Sequence, residues 1–219
     1  MTRLDLTGAL PVHAAPERTR RLRSDTKRNR RQLIQAAGRL FAASTGANVV
    51  SMSDIAREAE ISPATAYRHF ASVEDVLVAF RYGIGEQLKE FGDRQKSSGV
   101  KLLRDIDRRW VELVGEHGGS MVHTRSPEGY LARLRAGAEY LTVQADALER
   151  PLREALEELN LPAIGDEAMF LWNILFDPRE ILDVITTIGL SEHDAADRLT
   201  DTLLGAFEGW SKNQRAVRG

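Results

Sequence analysis

The chain has 219 residues, of which 42% are hydrophobic and 28% are charged, and this balance excludes a chain that is disordered throughout. The absence of cysteine excludes a disulfide scaffold, a thiolate metal site and cysteine nucleophilic catalysis. No apolar run approaches the roughly 18 residues of a membrane span, and the first residues lack a signal-peptide pattern, so we expect a cytoplasmic protein without a membrane partner.

The net charge of −2 conceals an uneven distribution of charged residues. Residues 1–70 hold 12 of the 30 Lys and Arg residues but only 6 of the 32 Asp and Glu residues. A basic front followed by an acidic remainder is typical of a protein with one surface for a polyanion and a second part with another task. A solvated basic terminus has the same composition, so charge alone leaves both interpretations open.

The segments after a flexible basic tail over residues 1–25 all have helical periodicity. Apolar residues recur at three- and four-residue spacing, and sustained strand alternation is absent. Capping residues and apolar stripes predict helices over about 26–44, 52–59, a short stretch after Ser62, 72–91, 100–116, 126–135, 138–159, 166–176, 177–188 and 192–211. We also expect Gly115, Gly118 and Gly119 to form a turn that exposes His117, and Pro151 to kink or break its helix.

Two short helices between Ser51 and Phe70 are separated by only a few residues. Small side chains at Ala56 and Ala59 let a second helix cross close to the first, which is the spacing of a helix-turn-helix. The outward face of the second helix would carry Pro63, Ala64, Thr65, Tyr67, Arg68 and His69. Because the same motif occurs in proteins that never bind DNA, spacing alone does not establish that function.

The run DIAREAEISPATAYRHFASVEDVL, preceded by a helix ending in LFAASTG, resembles the DNA-binding domain of the tetracycline-repressor (TetR) family. The resemblance covers about residues 26–77. It implies an all-α protein with a three-helix helix-turn-helix domain over 26–72 and a larger effector-binding and dimerisation domain over 73–219. The implied function is that of a homodimeric repressor that binds a palindromic double-stranded DNA operator and leaves it when a small-molecule inducer binds, with no catalysis, cofactor or metal.

The resemblance also implies roles for single residues. Pro63, Ala64 and Thr65 match positions that meet base edges, whereas Tyr67 and His69 match positions that contact the sugar-phosphate backbone. The complete set of expected DNA-binding residues is Arg28, Ser51, Ser62, Pro63, Ala64, Thr65, Tyr67, Arg68 and His69.

Two positions depart from the family pattern. Val73 replaces a lysine that commonly contacts phosphate. Glu60 replaces the usual glycine of the turn, so either a left-handed backbone is tolerated there at some energetic cost or the turn differs. The arginine-rich run over 18–31 could compensate as an arm in the minor groove. A disordered tail without a specific role is the alternative.

The body carries more apolar surface than one helix face in a monomer needs. Residues 167–188 and 192–211 are therefore the expected homodimer contact, and a buried helix pair in a monomer is the alternative. We expect the effector site to be a mostly apolar cavity between body helices. Its candidate lining residues are Trp110, Met121, His123, Tyr130, Tyr140, Met169, Trp172 and Asn173.

Two other functions are alternatives to the ligand-controlled repressor. A constitutive DNA-binding dimer would need no ligand, although the body is larger than dimerisation requires. An all-helical enzyme could use His117 and His123, which lie near Glu112, Glu116 and Glu128. The sequence holds no His-Glu-x-x-His, no phosphate-binding glycine loop and no nucleophile elbow, and this argues against catalysis.

Overall fold

The computed structural model describes the backbone of residues 17–44, 50–123 and 126–217, with side chains for residues 25–44, 50–123 and 126–211. Within these ranges the chain is helical and contains no strand, which confirms the all-α prediction. The helices are α1 (Glu17–Ala43), α2 (Met52–Glu58), α3 (Pro63–His69), α4 (Val73–Arg94), α5 (Gly99–Met121), α6 (Tyr130–Arg135), α7 (Glu139–Glu158), α8 (Asp166–Leu175), α9 (Pro178–Thr186) and α10 (Glu192–Val217).

The first helix differs from the prediction at its start. It begins at Glu17 and not at about residue 26, so residues 17–24 have helical backbone where the sequence predicts a tail. Arginine and glutamate are favourable helix formers, and residues 17–24 hold four arginines and one glutamate. Residues 1–16, which hold the rest of the predicted tail, lie outside the described residues.

The glycine-rich turn predicted in the body does not exist, because α5 continues through Gly115, Gly118 and Gly119. These glycines permit close packing between helices. A Cβ on Gly118 would lie 2.9 Å from Leu182 Cδ1, and one on Gly119 would lie 3.2 Å from the Cα of Ala42. His117 is accordingly half-buried in a helix, edge-on against the ring of Phe80 at 5.8 Å between centroids.

Two helix boundaries that the sequence predicts from proline positions are wrong. The predicted start at residue 126 is wrong, since α6 begins only at Tyr130, and the Ser126 hydroxyl instead accepts a hydrogen bond from the Glu128 amide in a local turn. The predicted break at Pro151 is also wrong, because Pro151 lies buried inside the single helix α7. The last helix runs on to Val217, past its predicted end at 211.

Two hydrophobic cores share one helix. The first core joins α1, α2 and α3 through fully buried side chains such as Leu33, Ile55 and Ala66. The second fills the body between α5, α7, α8, α9 and α10. Val76 and Leu77 place the start of α4 in the first core, whereas Ile84 and Leu88 place its middle in the second. A displacement of α4 therefore acts on both cores.

One buried carboxyl group lies in the body core. Asp107 is fully buried, and its two oxygens lie 2.8 Å from Trp172 Nε1 and 2.9 Å from Thr200 Oγ1. Burial raises the pKa of Asp107 to about 7, although the hydrogen bonds from Trp172 and Thr200 oppose the rise. The Trp172 ring also stacks on that of Phe176, at 5.2 Å between centroids. No described helix has the length and hydrophobicity needed to cross a bilayer.

Candidate nucleic-acid interface and body cavity

The turn between α2 and α3 is closed by backbone hydrogen bonds. The Ile61 amide donates to the Ala56 carbonyl at 2.9 Å, and the Glu60 amide donates to the Arg57 carbonyl at 3.1 Å. This Schellman pattern requires a left-handed residue at Glu60, whose φ is 56°. Of the two alternatives for Glu60, the structure has the left-handed backbone, and the turn is formed without glycine.

The start of α3 is fixed by a hydroxyl cap. Ser62 Oγ accepts a hydrogen bond from the Thr65 amide at 3.3 Å, and Pro63 occupies the first helical position. Thr65 Oγ1 in turn lies 3.0 Å from Ser62 Oγ and accepts a hydrogen bond from Arg68 Nη2 at 2.8 Å. These contacts hold Thr65 and Arg68 on one side of the helix.

The exposed face of α3 is separate from the face that packs. Ala66 is fully buried against the core and Phe70 is 5% exposed just after the helix, whereas Tyr67 is 57% exposed. Ser62, Pro63, Ala64 and Arg68 are also exposed, and Thr65 and His69 are half-buried. The predicted DNA-binding residues of this helix therefore share an accessible surface, as a recognition helix requires.

Ser51 is committed to capping α2. Its hydroxyl accepts from the Asp54 amide at 3.2 Å and lies 2.6 Å from Asp54 Oδ2, which also accepts from the Ser51 amide at 3.0 Å. The side-chain hydrogen bond from Ser51 is the main cause that lowers the pKa of Asp54, with a further contribution from Arg57. Ser51 remains exposed, so a phosphate contact is sterically open but competes with the cap.

Two groups from α1 and α3 meet beside Phe70. The guanidinium carbon of Arg30 lies 4.9 Å from the centre of the Phe70 ring. Burial lowers the pKa of His69, and the nearby charges of Arg68 and Arg30 lower it further, so the imidazole is neutral at pH 7. The predicted set of DNA-binding residues includes Arg28 from α1 but not Arg30. The contact between Arg30 and Phe70 depends on tertiary packing, which the sequence does not show.

Two of the acidic residues near this surface are paired with arginines, and several basic residues that form no ion pair with a described residue lie on α1. Arg39 Nε lies 2.7 Å from Glu58 Oε1, and Arg57 Nη2 lies 2.7 Å from Asp54 Oδ1. Lys27, Arg28, Arg30 and Arg31 are exposed or nearly so on α1. This arrangement can bind a polyanion by neutralising phosphates next to the exposed face of α3.

A cavity of about 290 Å³ lies between helices of the body. It is lined by Arg81, Trp110, Met121, Val122, Ser126, Tyr130, Arg133, Leu141, Gln144, Asn173, Phe176, Asp177, Pro178 and Arg179. Four predicted lining residues, Trp110, Met121, Tyr130 and Asn173, are therefore found together. Tyr140 is not among the lining residues, and its hydroxyl accepts a hydrogen bond from the lining residue Arg133.

The remaining predicted pocket residues lie elsewhere. Trp172 is a core residue that hydrogen-bonds Asp107, and Met169 lines a second, more apolar cleft between α7 and α8. His123 Nε2 lies 3.2 Å from the carbonyl oxygen of Phe41 in α1. Aromatic, sulfur and imidazole groups often contact ligands, but the same groups also fill protein cores.

The polarity of the cavity differs from the mostly apolar site that the sequence predicts. Arg81, Arg133 and Arg179 come from α4, α6 and α9, and all three line it. Single arginines on three separate amphipathic helices resemble ordinary solvent-facing residues, so the sequence carries no signal that they converge.

The histidines considered for catalysis do not form a joint site in the described part of the chain. His117 Nε2 lies 3.5 Å from Glu116 Oε2 and packs on Phe80, whereas His123 contacts the carbonyl of Phe41. No group of three or more His, Cys, Asp or Glu side chains with metal-binding geometry occurs among the described residues.

The amino-terminal region is similar to a known protein family. Residues 33–80 match the model for bacterial regulatory proteins of the tetR family. This range contains the end of α1, all of α2 and α3, and the first turns of α4, which are the elements that form the exposed helix and its core.

Solved structures extend the likeness over the body. A tetR-family transcriptional regulator from Streptomyces coelicolor has 16% identity over 87% of this chain and 86% of its own, with a TM-score of 0.56. The fatty acid degradation regulator FadR from Bacillus halodurans has 18% identity over 81% and 95%, with a TM-score of 0.60. A TetR family regulator from Marinobacter aquaeolei VT8 has 20% identity over 85% and 97%, with a TM-score of 0.52. At these identities the likeness shows a common fold.

Proposed function

We propose that this chain, a DNA-binding transcriptional regulator of the TetR family, binds a palindromic operator as a homodimer and is released from it by a small molecule. The observation that carries the proposal is the exposed face of α3, with Tyr67 outward and Ala66 inward. A helix held in this way can enter a major groove while the basic end of α1 lies along the phosphates. We assign base-edge contacts to the start of α3, from Ser62 to Thr65.

A homodimer is supported by apolar side chains that the monomer leaves exposed. Phe170 and Ile174 on α8, Ile188 after α9 and Trp210 on α10 are 37%, 49%, 66% and 37% exposed, respectively. The rings of Phe170 and Trp210 are in contact, at 6.4 Å between centroids, so they form one patch across the two helices. A second copy that covers this patch removes the apolar surface from water, and it falls in the predicted segments 167–188 and 192–211.

Two glycines on α10 add to the case for a second copy. A Cβ on Gly205 or on Gly209 would meet no described atom within 4 Å, so packing within the chain does not explain either residue. Glycine costs about 1 kcal/mol in a helix interior. Spaced one turn apart, these residues let a partner helix approach closely.

The link from body to DNA-binding domain is α4. Its Val76 and Leu77 belong to the core below the recognition helix, and its Arg81 lines the body cavity. A ligand that binds better to one position of α4 shifts the spacing of the two recognition helices, and DNA then weakens ligand binding by the same factor. The constitutive dimer without a ligand is the competing function, because it needs no such coupling.

The test combines operator selection with oligomeric state. We expect selection from random duplex DNA to yield a palindrome whose half-sites lie about one helical turn apart, near 34–36 Å. Sedimentation should give twice the monomer mass for the native chain and the monomer mass for Gly205→Leu. Gly83→Leu, at an equally open glycine on α4, should remain dimeric.

The outcomes separate the proposals. A monomeric native protein, or selection that yields no palindrome, contradicts the dimeric regulator. A dimer whose operator affinity is unchanged by every cavity ligand supports the constitutive alternative and contradicts release by a small molecule.

A further inference from the structure

The body cavity brings together three guanidinium groups from different helices. Arg81 from α4, Arg133 from α6 and Arg179 from α9 line its wall. Their positions in the chain are far apart, so the tertiary fold alone brings them together. All three arginines are half-buried, and like charges that are partly removed from water repel one another unless an anion binds among them.

The hydrogen-bonding groups of this cluster are incompletely used. Within the described residues, no acceptor takes a hydrogen bond from Arg81, whose guanidinium carbon lies 4.5 Å from the centre of the Tyr140 ring. Arg133 donates to the Tyr140 hydroxyl, but its buried Nε has no described partner. A guanidinium in this state retains donors for a ligand oxygen.

A buried hydroxyl group adds a further unused donor. Tyr130 lines the cavity and is only 7% exposed, and its hydroxyl has no hydrogen-bond partner among the described residues. Burial raises the pKa of Tyr130 and lowers that of Arg81, and an anion bound between them would offset the cost of their burial. Unpaired buried polar groups are costly, so a ligand that forms hydrogen bonds with them gains binding free energy.

The countercharge in the cavity is small and already engaged. Asp177 is the single carboxylate among the lining residues, and its Oδ1 accepts a hydrogen bond from the Arg179 amide at 2.8 Å as the cap of α9. Arg179 Nη1 lies 3.6 Å from Asp177 Oδ2, and its Nη2 donates to the Val122 carbonyl at 2.9 Å. Three cationic groups against one carboxylate leave the lining positively charged.

The cavity lining also contains apolar residues. Trp110, Met121, Leu141 and Phe176 form this wall, and Gln144 and Asn173 add neutral amides. A volume of about 290 Å³ accommodates a molecule of the size of a small aromatic or short aliphatic acid.

We propose that the effector is a small organic anion whose carboxylate or phosphate group is bound by Arg81, Arg133 and the Tyr130 hydroxyl, with its apolar part against Trp110 and Phe176. The assignment of this molecule as the effector rests on the proposed regulatory function, whereas the binding site itself does not. Because Arg81 belongs to α4, the anion holds in place the helix that continues below the recognition helix.

The experiment compares matched anionic and neutral probes on the full chain. Benzoate is paired with benzamide and hexanoate with hexanamide, and phenyl phosphate is compared with inorganic phosphate, all at constant ionic strength. Calorimetry and thermal unfolding should show saturable binding of the organic anions and none of the amides. The stronger of benzoate and phenyl phosphate identifies the carboxylate or the phosphate as the preferred group.

Three variants locate the site. Arg81→Gln and Arg133→Gln should each weaken anion binding about tenfold or more, as expected for loss of a charge-assisted hydrogen bond. Tyr130→Phe removes only the unpartnered hydroxyl, so it should weaken binding without lowering the melting temperature. Arg153→Gln, which alters an exposed ion pair with Glu157 on the outer side of α7, should bind like the native chain.

The proposal is overturned if the amides bind as tightly as the anions, if no organic anion in the panel binds, or if Arg81→Gln with Arg133→Gln retains the native affinity. Equal binding of inorganic phosphate and phenyl phosphate overturns the apolar half of the site. Operator binding is measured separately by fluorescence anisotropy. If the protein binds the anions but does not bind DNA, only the regulatory function is contradicted. If neutral molecules release the protein from DNA, only the anionic effector is contradicted.

Discussion

The Ser120 hydroxyl donates a hydrogen bond of 2.6 Å to the carbonyl oxygen of Gly38, and so joins the end of α5 to the first helix of the DNA-binding domain. Both residues are buried. The next residues, Met121 and Val122, line the body cavity. A change in the cavity wall therefore reaches α1 through a direct bond as well as through α4.

Removal of this hydroxyl should destabilise the junction between the domains. We expect Ser120→Ala to lower the free energy of unfolding by about 1 kcal/mol, since a buried hydrogen bond is lost. Urea unfolding measures the change. Thr202→Ala removes an exposed hydroxyl that bonds the Arg198 carbonyl at 2.8 Å, and it should change stability far less. Equal losses in the two variants would contradict a special role for the Ser120 bond.

The left-handed turn residue predicts a stabilising substitution. Glu60→Gly should raise the free energy of unfolding by about 1 kcal/mol, because a side chain at φ 56° is strained and glycine is not. Asn160 occupies the same position after α7 with φ 53°, and asparagine tolerates this conformation better. Asn160→Gly should therefore gain less in the same urea titration. A loss of stability in Glu60→Gly would show that the turn carries no strain.

Operator affinity should depend on the exposed side chains of α3. Tyr67→Phe and Thr65→Ala should each weaken operator binding roughly tenfold, since two copies of each contact are lost per dimer. Fluorescence anisotropy measures affinity, and sedimentation should show the dimer unchanged. Thr142→Ala, on an exposed face of α7, is the matched control. Native affinity in both α3 variants would mean that another surface meets DNA.

The amino-terminal residues should add affinity that depends on salt. Deletion of residues 1–24 should weaken operator binding and reduce the slope of log affinity against log salt, because fewer phosphates are neutralised. The same titration on Lys96→Gln, an exposed lysine after α4, should keep the native slope. An unchanged slope after the deletion contradicts a role for this segment in DNA binding.

Buried Asp107 predicts a pH-dependent difference in stability. Its pKa rises from an ordinary value near 4 to about 7 in the folded chain, so the folded state holds a proton that the unfolded state releases. Its stabilising contribution is complete below pH 4 and is lost as pH rises to 7, at up to ~1.4 kcal/mol per pH unit. Asp107→Asn lacks this proton, so its stability relative to the native chain should increase between pH 5 and pH 7.

The Thr200 hydroxyl gives this prediction a structural basis. It lies 2.9 Å from Asp107 Oδ2 and 2.8 Å from the Ala196 carbonyl, but it has one proton to donate. A protonated Asp107 can donate to Thr200, which then donates to Ala196, and all three groups are satisfied. Urea titrations at several pH values test this, and parallel pH profiles of the native chain and the Asp107→Asn variant would exclude it.

The helix-turn-helix could be predicted from sequence because its signals are local. Ser51, Ser62 and Ser72 each cap a helix through the residue three positions later, and these bonds form within one turn of chain. The DNA contacts proposed for Tyr67 and Thr65 come from the family resemblance, because capping and spacing do not encode them.

The body cavity could not be predicted in the same way, because its chemistry depends on tertiary contacts. Arg81 and Arg133 are ordinary helix residues by sequence, and only packing turns them inward beside Tyr140. The sequence predicts Trp172 as a ligand contact, but its indole nitrogen donates a hydrogen bond to Asp107 in the core. The glycines of α5 predict a turn by composition, but in the structure Gly118 allows Leu182 to pack closely against the helix. Composition does not distinguish these two roles of glycine.

The shared membership of α4 in two cores has a consequence for fragments of this protein. A piece that ends at residue 72 would lack Val76 and Leu77, and the core beneath the recognition helix would open to water on that side. Ile84 and Leu88 tie the same helix to the body, so severing it would damage that half too. A DNA-binding fragment that folds on its own must therefore include about the first two turns of α4, and the intact chain should melt in a single cooperative step.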